Sequence, residues 1–163
     1  MTQEEFKSLF EMHFARVRNY VFYRSGDTEL ATDIAQETFL KIWEKQDGIQ
    51  PQKVRGLLYK IANDLFISSY RKSQRTFNFF QSYQVDGESR TPEDEFAYVQ
   101  LKQSYNKALG RMPEKQRTVF LMSRVENLKY NEIAEMSGIS VKAVEKRMKA
   151  ALEFLDANIN RNE

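Results

Sequence analysis

Long stretches of this chain have no helix breaker: it has only 6 Gly and 3 Pro in 163 residues. Across those stretches apolar residues return every three or four positions, the period of one face of an α-helix. Phe6, Phe10, Phe14, Val17 and Val21 form such a stripe and predict a helix over about residues 2–25, ended by Gly26 and Asp27. Leu30, Ala31, Ile34, Thr38, Ile42 and Trp43 predict a second over about 28–45. Gly48 and Pro51 make 46–52 a loop. A third helix is expected over about 53–74, with Leu57, Leu58, Ile61, Leu65 and Tyr70 available for packing. Three such helices suffice for a small bundle.

The pattern breaks after that. Residues 81–92 are rich in Ser, Asp, Gly, Thr and Pro, and 78–92 is expected to be a linker. Phe77, Phe79, Phe80 and Tyr83 are unusual for a free linker and are expected to dock on one of the domains. Thr91 with Asp94 looks like a variant capping box opening a new helix. Four helical segments follow, over about 92–111, 114–126, 130–137 and 141–158. The expected architecture is all-α: a domain over 1–77, the linker 78–92 and a domain over 93–163.

Composition excludes several functions. With no Cys and one His, the chain has no disulfides, no thiolate metal site and no three-histidine zinc site. No metal or other cofactor is implied, and no nucleophile or acid–base constellation suggests an enzyme. No apolar run nears the roughly 18 residues of a membrane span. Glu4 and Glu5 argue against a signal peptide, so a soluble cytoplasmic protein without membrane insertion is expected. The net charge of +2 divides as +1 over 1–74, −3 over 75–100 and +4 over 101–163. A basic C-terminal third suits a polyanion partner.

Three groups of residues suggest binding. In the C-terminal block, a short helix over 130–137, a turn at Gly138 and a longer helix opened by Ser140 have the order of a helix-turn-helix, whose second helix enters the major groove. Ile133, Ala134 and Met136 are expected to face inward, as are Val144, Met148, Leu152 and Leu155 of the second helix. Lys142, Lys146 and Lys149, with Arg147 beside them, then lie where they can offset phosphate charge and reach guanine edges. The alternative is a solvated face of a four-helix domain.

In the third helix, Tyr59, Lys60, Phe66, Tyr70, Arg71, Lys72 and Arg75 mix rings and cations, preceded by Lys53 and Arg55. That mixture suits stacking on unpaired bases along a phosphate chain. The alternative is rings in the core and cations on the surface, the better reading for Phe66. In the second helix, Asp33, Gln36, Glu37 and Leu40 share the side opposite Ile34 and Trp43. A leucine beside acids suits a protein-contact patch, but from the residues alone a plain solvated face is the better reading. His13, between Phe10 and Phe14, is expected at the edge of the core. Met112, Met122, Met136 and Met148 are expected to fill gaps between packed helices.

Taken in order, these residues resemble the extracytoplasmic-function sigma factors, the smallest members of the bacterial sigma-seventy superfamily. Asp33 to Phe39 with Trp43 is similar to the family's polymerase-binding helix. Leu57 to Ala62, running on to Tyr70-Arg71-Lys72, is similar to its promoter-melting helix. Met112-Pro113-Glu114-Lys115-Gln116-Arg117 resembles the start of its C-terminal domain, where Glu132-Ile133-Ala134 and Ala143 to Arg147 complete the helix-turn-helix. The Ala143 to Arg147 run is also similar to members paired with membrane anti-sigma proteins in iron- or polysaccharide-uptake systems.

The resemblance implies a transcription initiation factor whose partners are core RNA polymerase, promoter DNA and an anti-sigma protein. Asp33, Gln36, Glu37 and Leu40 would grip the β′ clamp helices. The 46–51 loop would capture a flipped base of the minus-ten element. Lys53, Arg55, Tyr59, Lys60, Arg71, Lys72 and Arg75 would hold the opened strand. Lys142, Glu145, Lys146 and Lys149 would face the minus-thirty-five groove, with Arg147 as a phosphate or packing anchor. Asn63-Asp64 departs from the usual Arg-Asn of the family, and Ser68 from its usual Asp. That loss of charge is expected to weaken non-specific strand binding. One rival is a helix-turn-helix regulator acting without polymerase, which would need to dimerise to read a palindrome. A second is a helical interaction module, such as an antagonist that mimics a sigma factor, in which the cations of the last helix would be lost.

Overall fold

The structure is a computed structural model that describes residues 1–70 and 92–159. All regular elements among them are helices: α1 (Gln3–Ser25), α2 (Thr28–Glu44), α3 (Val54–Tyr70), α4 (Pro92–Arg111), α5 (Glu114–Arg124), α6 (Tyr130–Ser137) and α7 (Val141–Ile159). The 46–52 loop winds into two short 3-10 turns, Gln46–Gly48 and Pro51–Lys53. The expected linker lies outside the described residues except for Pro92, which opens α4. The aromatic run from Phe77 to Tyr83 and the Thr91 cap also lie outside them.

Local chemistry sets the helix ends. Thr2 and Glu5 form a reciprocal capping box at the start of α1. At its end Gly26 takes φ 69°, and its N–H donates to the Phe22 carbonyl. Asp27 then accepts from the Leu30 N–H to open α2.

α1, α2 and α3 pack on one another as the first unit, and α4 to α7 form the second around α7. In the first unit Phe6, Phe10 and Phe14 of α1 gather round Phe39 of α2, the Phe10 and Phe39 centroids lying 5.1 Å apart edge to face. Thr38 is fully buried, and its hydroxyl donates to the Ile34 carbonyl at 2.7 Å. The four methionines of the second unit are buried as expected.

One stripe differs from expectation. In α7 the buried residues are Val144, Met148, Ala151 and Leu155, while Leu152 is 42% exposed. At about 100° per residue, Leu152 lies about 80° round from Val144, whereas Ala151 lies about 20° away on the other side. A 4-3-4 spacing therefore tracks the core better than 4-4-3.

The two units share one continuous core. α1 packs on α5, and α3 packs on α6. This seam brings together residues that sequence reasoning had not paired.

Candidate nucleic-acid and polymerase interface

α2 presents its sequence-predicted patch intact. Asp33, Gln36, Glu37 and Leu40 are all exposed, Leu40 by 55%. Their spacing of three, one and three puts them on one stripe, and the opposite stripe of Ala31, Ile34, Ala35, Thr38 and Ile42 is buried. An exposed leucine flanked by carboxylates can take an apolar contact ringed by cations.

α3 divides its predicted set. Lys53 and Lys60 are exposed, and Arg55 is half-buried. Tyr59 corrects the expectation: it is 1% exposed, and its ring meets Tyr20 edge to face at 5.5 Å. A ring so enclosed cannot stack on a base in this conformation, so the core reading holds for it, as it does for Phe66. Burial pushes the Tyr59 phenol well above its ordinary range, with the Glu126 charge adding to the effect. Arg71, Lys72 and Arg75 lie outside the described residues.

Behind Tyr59, several polar atoms are enclosed without a hydrogen-bond partner among the described residues: the Tyr59 hydroxyl, His13 Nδ1, and Nε and Nη2 of Arg55. His13 is buried at the edge of the core. Burial, then the charges of Arg55 and Arg16, push its pKa below the usual imidazole value. A neutral imidazole so placed suits packing rather than chemistry.

The helix-turn-helix forms as read. Ile133, Ala134 and Met136 are buried on α6. Gly138 takes φ 68°, and its N–H donates back to the Glu135 carbonyl. Ser140 Oγ accepts from the Ala143 N–H at 3.1 Å and so caps α7. Lys142, Glu145, Lys146 and Lys149 are exposed on α7. Arg147 is half-buried and faces the seam, lining a cleft with Arg24, Asn63, Glu114 and Lys115. That location suits a packing anchor better than a groove contact.

The seam was not legible in the sequence. Arg24, at the end of α1, is 7% exposed and grips Glu114 of α5 in a two-pronged ion pair, with Nε–Oε2 at 2.9 Å and Nη2–Oε1 at 3.0 Å. Its Nη1 donates to Asn63 Oδ1 of α3, and its guanidinium lies 4.2 Å from the Phe66 ring centroid. Arg117 of α5, 6% exposed, donates to the terminal carbonyls of α1 at Tyr23 and Arg24, and to those of Leu109 and Met112. Asn19 of α1 donates to Glu126 at 3.0 Å. Asn63 accepts here, where an arginine at that position would set two cations against each other.

No group of three or more potential metal ligands occurs among the described residues, and no described helix is long and apolar enough to cross a membrane.

Comparison with known proteins matches the same two units. The model for sigma-70 region 2 matches residues 9–76, and that for sigma-70 region 4 matches residues 102–155. The chain is 25% identical to the RNA polymerase sigma factor YlaC of Bacillus subtilis, over 98% of this chain and 95% of that protein. It is 25% identical to the ferric citrate uptake sigma factor FecI of Escherichia coli, over 91% and 87%. It is 24% identical to the ECF RNA polymerase sigma factor SigW of Bacillus subtilis, over 94% and 88%. The fold is similar to that of CnrH in its complex with the cytosolic domain of CnrY, with a TM-score of 0.67 at 23% identity over 99% of this chain and 92% of that one. It is also similar to the sigma factor RpoE of Bartonella quintana in complex with the anti-sigma factor NepR, with a TM-score of 0.63 at 17% identity over 98% and 99%. With both regions matched in order and relatives aligned along nearly its whole length, the chain belongs to the sigma-70 family of RNA polymerase sigma factors, in its extracytoplasmic-function group.

Proposed function

We propose that this initiation factor docks on core RNA polymerase through the exposed α2 stripe of Asp33, Gln36, Glu37 and Leu40. The observation that carries the reading is that stripe: acids and a leucine aligned on one helix face, unburied by the rest of the fold. Lys53 of the preceding turn and Arg55 and Lys60 of α3, with Arg71, Lys72 and Arg75 further along the chain, would track the opened minus-ten strand. Lys142, Glu145, Lys146 and Lys149 of α7 would read the duplex minus-thirty-five element. Glu145 can accept from a cytosine amino group, and the lysines can contact guanine edges and phosphates. Reading two elements with one chain raises avidity without new contacts.

The chain would act in the cytoplasm and carry out no covalent chemistry, which belongs to the polymerase. An anti-sigma protein would hold it inactive, as family membership and the anti-sigma partner named for the Bartonella relative suggest.

The test is assembly with sigma-free core polymerase. The chain should form a complex that Asp33→Arg plus Glu37→Arg abolishes while its helical content is kept. Failure of the folded parent chain to bind core would overturn the reading.

A further inference from the structure

A cleft of about 230 Å³ opens among α1, α3, α5 and α7. That is far more than the roughly 10–15 Å³ that admits one water, and less than the roughly 300 Å³ at which sites for larger ligands begin. Its charges do not cancel. Glu114 is the one acid lining it, and Arg24 occupies both carboxylate oxygens. Arg147 of α7 and Lys115 of α5 line the same space. Neither side chain has a hydrogen-bond or ion-pair partner among the described residues. Arg147 is half-buried, so it has lost part of its water with no counter-charge in return.

Asn63 of α3 adds a third donor to the cleft. Its Oδ1 accepts from Arg24, which leaves Nδ2 without a partner among the described residues. Ile67, Val119 and Ile139 give the same space an apolar wall. Two cations and an amide, brought together from three helices, are donors that lack an acceptor. A phosphate group supplies what is missing. Its oxygens can take paired bonds from a guanidinium and a further one from an ammonium. Its charge, near −2 at neutral pH, offsets both cations.

We propose that this cleft binds a small phosphate monoester, its phosphate held by Arg147, Lys115 and Asn63 and its organic part laid against the apolar wall. The size of the cleft suits one phosphate with a compact body rather than a dinucleotide or a duplex.

Calorimetric titration of the full chain tests this, with inorganic phosphate and phenyl phosphate as the probes and ionic strength held constant with sodium chloride. Phenyl phosphate should bind at one equivalent, several-fold more tightly than inorganic phosphate. Arg147→Gln and Lys115→Gln should each weaken it about tenfold or more. Arg147→Lys should recover part of the loss, because it keeps the charge but not the paired donors. Lys7→Gln removes an exposed cation of α1 outside the cleft and should bind as the parent does.

No saturable binding of either probe by the folded parent chain at about 10 mM would overturn the proposal. Unchanged affinity in folded Arg147→Gln and Lys115→Gln would do the same. So would an equal loss in Lys7→Gln, the mark of a diffuse charge effect. Phenyl phosphate binding no more tightly than inorganic phosphate would overturn the assignment of a monoester. Should Arg147→Gln fail to fold, Lys115→Gln, at an exposed position, decides under the same criteria.

Discussion

Arg24 and Glu114 are 90 residues apart and meet through two parallel hydrogen bonds of 2.9 and 3.0 Å. The arginine side chain is 9% exposed and the carboxylate 22%. Removing one partner therefore leaves a largely desolvated charge without its counterpart. Arg24→Ala is expected to cost about 2–3 kcal/mol, read as a lower urea midpoint. Arg24→Lys should recover less than half, because an ammonium cannot make the two-pronged contact. Full stability in the lysine variant would show that charge alone holds the seam.

Function and stability should separate on α2. Leu40 is 55% exposed and Ile42 fully buried. Leu40→Ala should leave the melting temperature nearly unchanged and weaken binding to core polymerase. Ile42→Ala should cost about 2–4 kcal/mol by opening a cavity. A Leu40→Ala variant that binds core as tightly as the parent would remove the leucine from the interface.

The cations of α7 make a salt-dependent prediction. Lys142 and Lys146 are exposed on the face away from Val144 and Met148. Replacing both with alanine should reduce the slope of log affinity against log salt by about two on random-sequence duplex DNA. Fluorescence anisotropy across a salt series measures it. An unchanged slope would mean that the two lysines do not face phosphate.

Gly138 holds the helix-turn-helix turn at φ 68°. A Cβ there would meet nothing within 4 Å, so any penalty comes from the backbone rather than a clash. Gly138→Ala is expected to cost about 1–2 kcal/mol. A chemical denaturation curve matching the parent's would show that the turn relaxes to another conformation.

Glu126 gives the seam a pH dependence. Burial raises its pKa above 4.5, against opposing hydrogen bonds from Asn19 and Tyr23 and the charge of Arg16. The folded chain therefore holds this proton more tightly than the unfolded chain. Its contribution to stability is fully present below about pH 4.5 and is lost as pH rises through the elevated folded value. Glu126→Gln, which can still accept from Asn19, should gain melting temperature over the parent at neutral pH and lose that advantage near pH 4.5. Melts at the two pH values decide it, and a constant difference would refute the assignment.

What could be read from the chain alone was set by neighbours three or four residues apart. The helices, the Gly138 turn and the Ser140 cap all rest on backbone preferences and periodicity at that range. The α2 stripe was legible for the same reason: one face of an amphipathic helix shows which residues remain outside. Family resemblance, carried by short runs of residue types, gave that stripe its meaning.

Tertiary structure decided the rest. Tyr59 and Lys60 are adjacent in a segment mixing rings and cations, yet one is enclosed and the other exposed, because Tyr20 of α1 covers the first. Leu152 lost its expected place to Ala151 through a rotation that only the neighbouring helices define. Arg24, Asn63, Glu114 and Arg117 look like ordinary surface residues in sequence, because pairs separated by 39 to 94 positions leave no periodic trace. Their partners exist only once two separately patterned units meet, and burial then turns four polar side chains into the seam that joins them.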